Sequence, residues 1–356
     1  MTSGSVTSGS AVVIGASGQS GRAAVRALAR DGWQVRAASR RGGRDGSWPA
    51  EVRTVAMDRA DDAALAELVG DGCEVLVDCV AYGAAHARQL AGLADRIGSA
   101  VVVSSGAVYE DDRGRSFATQ GEPDGFPVYS LPIPESCRTV PPGDEDYATG
   151  KIALERALLA EGDRLPVTLL RAGAIHGPHS PLPRELYFVK RVLDGRRVRV
   201  LAYGGRSRFH PVHVANLAEL IRLAARRPGS RVLNAGDPQA PTVAEIAVAV
   251  DAAMGAPASE VVTVEGAPPS SDVGETPWST AHPVVYDMAA AERELGYRAV
   301  TTYEDSLPET VAWLADRVKG RDWWEVFPTM AAHYPDEMLF GYAAEDRWLA
   351  GRGAQR

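Results

Sequence analysis

Short apolar runs alternate with amphipathic stretches along the first half of the chain. Ala11-Val12-Val13-Ile14 is apolar throughout and stops at Gly15, as a strand buried on both faces does. Residues 22–30 then put Val25 and Leu28 on one helical face, and Gly32 supplies the stop. The same reading predicts strands at 34–39, 52–56, 74–80, 100–104 and 167–171, and helices at 62–69, 85–97 and 147–159. Strand, helix, strand repeated in this way builds a parallel sheet covered on both faces. The expected fold class is α/β, a doubly wound parallel sheet.

The second half alternates less cleanly. Residues 184–194 and 212–226 read as helical and 231–235 as a strand. Thr242-Val-Ala-Glu245 has the spacing of a capping box before a helix that ends near Gly255. Proline and glycine interrupt 266–282. The expectation is a smaller C-terminal α/β substrate lobe over the carboxyl edge of the sheet, where ligands of such folds sit. The expected divisions are a flexible leader at 1–10, a dinucleotide-binding domain at 11–174, a substrate-binding lobe at 175–320 interleaved with it, and an aromatic-rich extension at 321–356.

Composition narrows the partners. Forty-five per cent of the 356 residues are hydrophobic, which allows a large core, and the net charge of −8 is not offset by any long basic block. Nucleic acid is therefore not an expected partner. Cys73, Cys79 and Cys137 form no CxxC pair, which fits a reducing compartment. The leader lacks the basic and apolar regions of a signal peptide, and no apolar run reaches the ~18 residues of a membrane span. A soluble, cytoplasmic protein is expected.

Candidate chemistry begins at Gly15-Ala-Ser17-Gly18-Gln19-Ser20-Gly21, between the first strand and the first helix. Gly15 permits the sharp turn, Gly18 close approach of a pyrophosphate, and Gly21 packing of the helix on the sheet; the free N–H groups of the helix end then face phosphate. Ser17, Gln19 and Ser20 join this cofactor set. The spacing is GxxGxxG. At the end of the second strand stand Ser39, Arg40 and Arg41, with Arg44 nearby and no acid for a ribose 2′-hydroxyl. A guanidinium suits a 2′-phosphate, so NADP(H) is favoured while NAD(H) stays open.

Tyr147 and Lys151 are four apart and share a helical face. A phenol is a poor base at neutral pH, and a neighbouring ammonium favours its ionised form. Ser105, after the strand at 100–104, is placed to donate to a substrate oxygen as charge develops. These three form the expected catalytic group.

The chain resembles the extended short-chain dehydrogenases/reductases of the NAD-dependent epimerase/dehydratase type over about residues 11–315. The likeness rests on the glycine turn, Met57-Asp58, Cys79-Val80-Ala81, the segment Ser105 to Tyr109, the Tyr147/Lys151 pair and Leu170 to Pro178. Pro211-Val-His213-Val and Glu294-Leu-Gly-Tyr297 complete it. The resemblance implies a Rossmann-like sheet, with Asp58 at the adenine and Val80 and Ala81 along the cofactor channel. It adds Tyr82, Ser104, Ala172 and Ala174 to the cofactor set, with Tyr147 and Lys151 shared, and Tyr82, Ser105, Ala107, His176 and His210 as the substrate set. Relatives often dimerise through helices like 85–97 and 147–159, so a homodimer stays open.

The departures are informative. Dehydratases of the family carry Asp-Glu after the catalytic Ser/Thr, where this chain has Gly106-Ala107, so dehydration is disfavoured. Ala174, His176 and Asn216 replace a usual asparagine, tyrosine and acid, which weakens the case for a standard nucleotide sugar. Residues 110–131 read as an insertion, either a substrate-shaping flap or a solvated loop. No histidine has the spacing of a metal site. The aromatic tail is expected to pack on the second lobe, with a pocket cap or subunit contact as alternatives. The function expected is hydride transfer to or from a carbonyl or secondary alcohol of a small molecule, sugar-like or a natural-product intermediate. An epimerase with tightly bound NAD(P) is the alternative, and a non-catalytic dinucleotide-binding regulator or RNA-associated protein is one of another class.

Overall fold

The computed structural model describes residues 9–353; residues 1–8 of the expected leader lie outside that range. The elements begin β1 (Ser10–Ile14), α1 (Gln19–Arg30), β2 (Gln34–Ser39), β3 (Arg53–Ala56), α2 (Asp62–Val69) and β4 (Val75–Asp78). Next come α3 (Ala84–Ala91), β5 (Ala100–Ser105), α4 (Tyr147–Leu159), β6 (Val167–Ala172), β7 (Ala174–His176) and α5 (Leu186–Leu193). β8 (Val198–Leu201), β9 (Pro211–His213), α6 (Val214–Arg226), β10 (Arg231–Ala235), α7 (Val243–Ala253), β11 (Glu260–Thr263) and α8 (Ala289–Leu295) follow. The last are α9 (Tyr303–Val318), α10 (Trp323–Val326), α11 (Pro328–His333), α12 (Asp336–Phe340) and α13 (Tyr342–Gly353).

The described chain divides into two compact units, each discontinuous in sequence. Unit 1 comprises 9–173, Val214–Gly236 and Tyr286–Val300; unit 2 comprises Ala174–His213, Asp237–Val285 and 301–353. In unit 1, seven parallel strands run in the order β10-β6-β5-β4-β1-β2-β3. The chain winds outward from β1 in one direction and from β4 in the other, so the sheet is doubly wound and Rossmann-like. Continuous apolar runs such as Val12-Val13-Ile14 and Val101-Val102-Val103 are buried because helices cover both faces. Leu65 and Leu68 of α2, Leu90 of α3 and Leu154 and Leu158 of α4 pack on Ile14, Leu76 and Val102, while α1 packs against α6. The helix expected at 85–97 ends at Ala91; Gly92 breaks it, and a short 3-10 turn at Ala94–Arg96 follows.

The segment after β5 is folded in place. Glu110 N donates to Arg138 O at 3.0 Å and Val140 N to Val108 O at 3.0 Å. Buried Asp111 accepts from Arg113 N (2.9 Å), Arg115 N (3.0 Å), Arg115 Nε (2.7 Å) and Val128 N (2.9 Å). Burial alone would raise this carboxyl, but those donors outweigh it and bring it down to about 2.

Unit 2 carries two short parallel pairs, β11-β8 and β7-β9. Its core joins Phe188 and Val189 of α5, Ile246 of α7 and Leu307 of α9 to Trp323, Phe327, Met330, Leu339 and Phe340. The aromatic tail thus packs within unit 2, and on α13 Glu345 pairs with Arg191 at 2.8 Å and Arg196 at 3.0 Å. Among the described residues, no helix is long and apolar enough to cross a membrane.

Candidate active site

The glycine turn is built by close backbone contact. Gly15 has φ +80°, Gly18 N donates to Gly15 O at 2.9 Å, and Ala16 N to Ala38 O at 2.9 Å. A Cβ on Gly21 would overlap the Gly15 carbonyl, so only glycine lets α1 sit this close to β1. The cap residue Gly18 offers α1 no side-chain acceptor and the first turn holds no acid, the setting in which a helix start receives an anion. A cavity of about 420 Å³ opens beside it, lined by Gly15, Ser17, Gly18, Ser39, Arg40, Asp58 and Val80 among the expected residues. A helix start without a side-chain cap, glycine-only contacts and this cavity together fit a dinucleotide.

Arg59, Ala60 and His86 also line that cavity and were not read from the sequence, and Met57, read only as part of the Met57-Asp58 motif, lines it too. Arg59 is buried; its Nε donates to Asp78 Oδ2 at 2.6 Å, and it also bonds Gln89 and His86 O. Arg40 and Arg41 are exposed, and only Arg40 lines the cavity. Arg44 is engaged within its own loop, donating to the carbonyls of Val52 (2.8 Å), Trp48 (3.1 Å) and Pro49. The nearby acid, Asp45, pairs with Arg22. Gln19, Ser20, Gly21, Arg41, Ala81, Tyr82, Ser104, Tyr147, Lys151, Ala172 and Ala174 do not line this cavity. Ser104 instead turns toward α4 and donates to Glu155 Oε1 at 2.5 Å.

Ser105, Tyr147 and Lys151 come together at the carboxyl end of β5 and the start of α4. Asp146 caps α4, accepting from Thr149 N at 2.9 Å, which fixes Tyr147 in the first turn. Tyr147, 48% exposed, lies 5.8 Å, centroid to centroid, from Tyr82, and the Ser105 hydroxyl stands near enough to act on its phenol. Lys151 is buried; its Nζ donates to Ala81 O at 2.6 Å and Val103 O at 2.9 Å and stands 5.6 Å from the Tyr147 ring centre. The covered part of the Tyr147 side chain raises its phenol, the nearby Ser105 hydroxyl opposes this and Tyr82 adds to it. That is the reverse of the lowering expected from Lys151, whose ammonium faces the ring and is held by two carbonyls. Burial lowers Lys151 itself to about 8, against the pull of Asp78, Glu155 and Cys79.

The turn after Ser105 is fitted against another ring. A Cβ on Gly106 would overlap the hydroxyl and ring of Tyr286, a buried residue from the third segment of unit 1. Behind the same turn, Arg171 pairs with Glu155 at 2.7 Å and lies 4.9 Å from the Tyr109 ring centre. Tyr109 Oη in turn donates to Asn234 Oδ1 at 2.6 Å. Ala107 N donates to Ser105 Oγ at 3.1 Å, orienting that hydroxyl.

The sequence profile of the NAD dependent epimerase/dehydratase family matches residues 11–236. The chain belongs to that family. It is a family of enzymes of the extended short-chain dehydrogenase/reductase type. In fold, the family member described here is similar to UDP-N-acetylglucosamine 4-epimerase from Methanobrevibacter ruminantium in complex with UDP-N-acetylmuramic acid. The two share 18% identity and a TM-score of 0.68, covering 87% of this chain and 99% of that one. It is also similar to the enzyme WbmH of Bordetella bronchiseptica in complex with NAD+ (18% identity, TM-score 0.66, 86% and 98% covered). dTDP-glucose 4,6-dehydratase from Bacillus anthracis in complex with NAD has 17% identity and a TM-score of 0.64, with 89% and 99% covered. A search among curated proteins gives no match to the sequence.

In this family member His176 and His210 lie in unit 2 and are buried. His176, 1% exposed, has Nε2 2.7 Å from Asp237 Oδ2 and Nδ1 3.6 Å from Glu185 Oε1. The rings of His213 and Tyr303 stand 5.0 and 4.9 Å away. His210 Nε2 lies 2.8 Å from Asp237 O. Ala174, also in unit 2, is buried and its N donates to His210 O at 2.9 Å. Among the described residues, no group of three or more His, Cys, Asp or Glu side chains is arranged to hold a metal.

Proposed function

We propose that this protein is an NADP(H)-dependent oxidoreductase acting on a carbonyl or secondary alcohol of a small molecule. The convergence of Ser105, Tyr147 and Lys151 at one strand end carries the reading. A nicotinamide bound along Val80 and Ala81 would supply the hydride or take it up. Gly15, Ser17, Gly18 and the first amides of α1 would hold the pyrophosphate and Asp58 the adenosine. Arg40, with Arg41 close by, would meet a 2′-phosphate, since the neighbouring acid Asp45 is already paired with Arg22.

In the reducing direction Tyr147 gives its proton to the substrate oxygen. Its raised phenol is protonated at neutral pH, the form a general acid needs. Ser105 donates to the same oxygen and stabilises charge as it builds there. Lys151 holds the carbonyls of residues 81 and 103, fixing the floor of the site against α4. In the oxidising direction the proton returns to Tyr147. Gly106 and Ala107 offer no acid and base for eliminating water, and Tyr286 fills the space a larger residue at 106 would need. We assign His176 and His210 to holding unit 2 together, since both ring systems are committed to Asp237.

The alternative is a nucleotide-sugar epimerase that oxidises and re-reduces one carbon without net turnover of cofactor, an activity named for several fold neighbours. Titration with NADPH and NADH, followed by tryptophan quenching, separates the cofactor readings. Tighter NADPH binding supports the 2′-phosphate role of Arg40; preference for NADH overturns it, and protein that arrives loaded and exchanges slowly favours the epimerase. Tyr147→Phe is expected to lower turnover about 10²- to 10⁴-fold while leaving dinucleotide affinity within about twofold. Full activity in that variant would remove the tyrosine from the mechanism.

A further inference from the structure

One imidazole lines the dinucleotide cavity without a part in the proposed chemistry. His86, half-buried in the first turn of α3, stands on the cavity wall with Gly15, Gly18, Asp58 and Val80. Its two ring nitrogens are not equivalent. Tyr82 N donates to Nδ1 at 2.9 Å, so Nδ1 carries a lone pair and no proton. Burial lowers the imidazole, Arg59 and Lys151 push the same way and Asp78 opposes them, which keeps the ring neutral at neutral pH. A neutral ring that accepts at Nδ1 holds its proton on Nε2. Among the described residues, that N–H has no hydrogen-bond partner.

The ring is also held before any ligand arrives. Arg59 Nη2 donates to His86 O at 3.3 Å. Tyr82, whose amide orients the imidazole, is itself seated on α4: a Cβ on Gly150 would come within 3.3 Å of its ring, and the Tyr147 ring lies 5.8 Å away. Its amide thus sets which edge of the imidazole is left for the cavity. A donor fixed in this way loses little freedom on binding.

Strand order separates this donor from the arginines. His86 follows β4, which pairs with β1, whereas Arg40 follows β2 on the other side of β1. Two strand spacings are about 10 Å, and the glycine turn lies between them. The oxygens nearest His86 are therefore those of the pyrophosphate and its riboses, and not of a 2′-phosphate held by Arg40.

We propose that His86 is a dinucleotide-binding residue, its Nε2–H donating to a phosphate or ribose oxygen that NADPH and NADH share. The inference rests on the dinucleotide reading of this cavity and adds a donor from α3 to it.

The test is titration of wild type, His86→Asn and His86→Gln with NADPH and with NADH, followed by tryptophan quenching. Asn puts a carbonyl oxygen where Nδ1 accepts from Tyr82 N and leaves nothing at the Nε2 position. Gln does the reverse, reaching the Nε2 position with its amide nitrogen and losing the Nδ1 acceptor. His86→Asn is expected to weaken both dinucleotides about tenfold or more with its thermal midpoint unchanged. His86→Gln is expected to keep both affinities within about threefold although its midpoint falls. NMR of wild-type protein carrying nitrogen-labelled histidine gives a readout that does not depend on a variant's stability. The His86 signals, identified by their loss in His86→Gln, are expected to show a neutral ring protonated at Nε2 and to move at that nitrogen when NADPH is added. Wild-type affinity in His86→Asn, or an Nε2 signal that saturating NADPH leaves unmoved, overturns the contact. A loss confined to NADPH overturns the shared oxygen in favour of the 2′-phosphate. Wild type that binds neither dinucleotide overturns the reading of the cavity itself, whereas wild type that binds while His86→Asn binds equally well faults His86 alone.

Discussion

At the scale of single residues, the site is defined as much by what is small as by what is reactive. Gly106 follows Ser105 directly, and the Tyr286 hydroxyl and ring occupy the volume its Cβ would need. Adding a methyl there forces the buried tyrosine or the serine turn to move, at a cost of about 1–3 kcal/mol. Gly106→Ala is therefore expected to lower stability in urea by that amount and to depress turnover through a displaced Ser105. In a Tyr286→Ala background the same substitution is expected to cost little, because the overlap is gone. A Gly106→Ala protein as stable and active as wild type would show that the turn is not fitted to the ring. For the same reason, placing Asp and Glu at 106 and 107 alone is not a route to dehydration. Nothing in the sequence linked residues 106 and 286, since the contact joins segments 180 positions apart in one unit.

Among the elements, the buried parallel strands were the most legible. Runs such as Ala11 to Ile14 and Val101 to Val103 have no polar face to confuse the period, so β1 and β5 fell where expected. Tyr147 and Lys151 share one helix, as their four-residue spacing implied, and Ser105 stands near Tyr147 at the end of β5. The direction of the Tyr147 shift was not legible, because it depends on burial and on where the Lys151 ammonium points. Met57 and Arg59, which flank the expected Asp58, also line the cavity, and His86 was missed because only the folded sheet brings it beside Gly15. The segment 110–131 was ambiguous in sequence, yet it is ordered around one carboxylate that accepts from three backbone amides and Arg115. Asp111→Asn is expected to cost about 1–3 kcal/mol and to expose this segment first to limited proteolysis. The pH dependence has a definite sign. A carboxyl held near 2 contributes stability above its ordinary value of 3.8, and that contribution is lost as pH falls toward 2. Wild-type and Asp111→Asn cleavage rates in 110–131 should therefore converge in acid; rates that differ equally at all pH would rule out the carboxylate as the hinge of the loop.

At the scale of the whole molecule, the chain weaves two units from alternating segments, and its last helices belong to the core of the second. Arg191 and Glu345, each 1% exposed at the side chain, tie α5 to α13 across a long stretch of sequence. Such a pair contributes little beyond an apolar replacement, but removing one member strands the other charge in the interior, at a cost of about 3–5 kcal/mol. Glu345→Ala leaves Arg191 with the Leu339 carbonyl (2.7 Å) and the Tyr187 ring, 4.1 Å from its guanidinium carbon. Neither carries the opposite charge. The protein supplies its own readout, because five of its seven tryptophans (Trp278, Trp313, Trp323, Trp324 and Trp348) lie in unit 2. Glu345→Ala is expected to lower the fluorescence-detected urea midpoint by that margin, and Arg191→Leu with Glu345→Leu to recover most of it. Dinucleotide affinity, assigned by the proposed function to the glycine turn in unit 1, should stay within about twofold of wild type in both variants, a change under 1 kcal/mol. If the double variant were no more stable than Glu345→Ala, the loss would come from packing around α13 and not from the stranded charge. If Glu345→Ala unfolded like wild type, the tail would be an appendage to unit 2 and not part of its core.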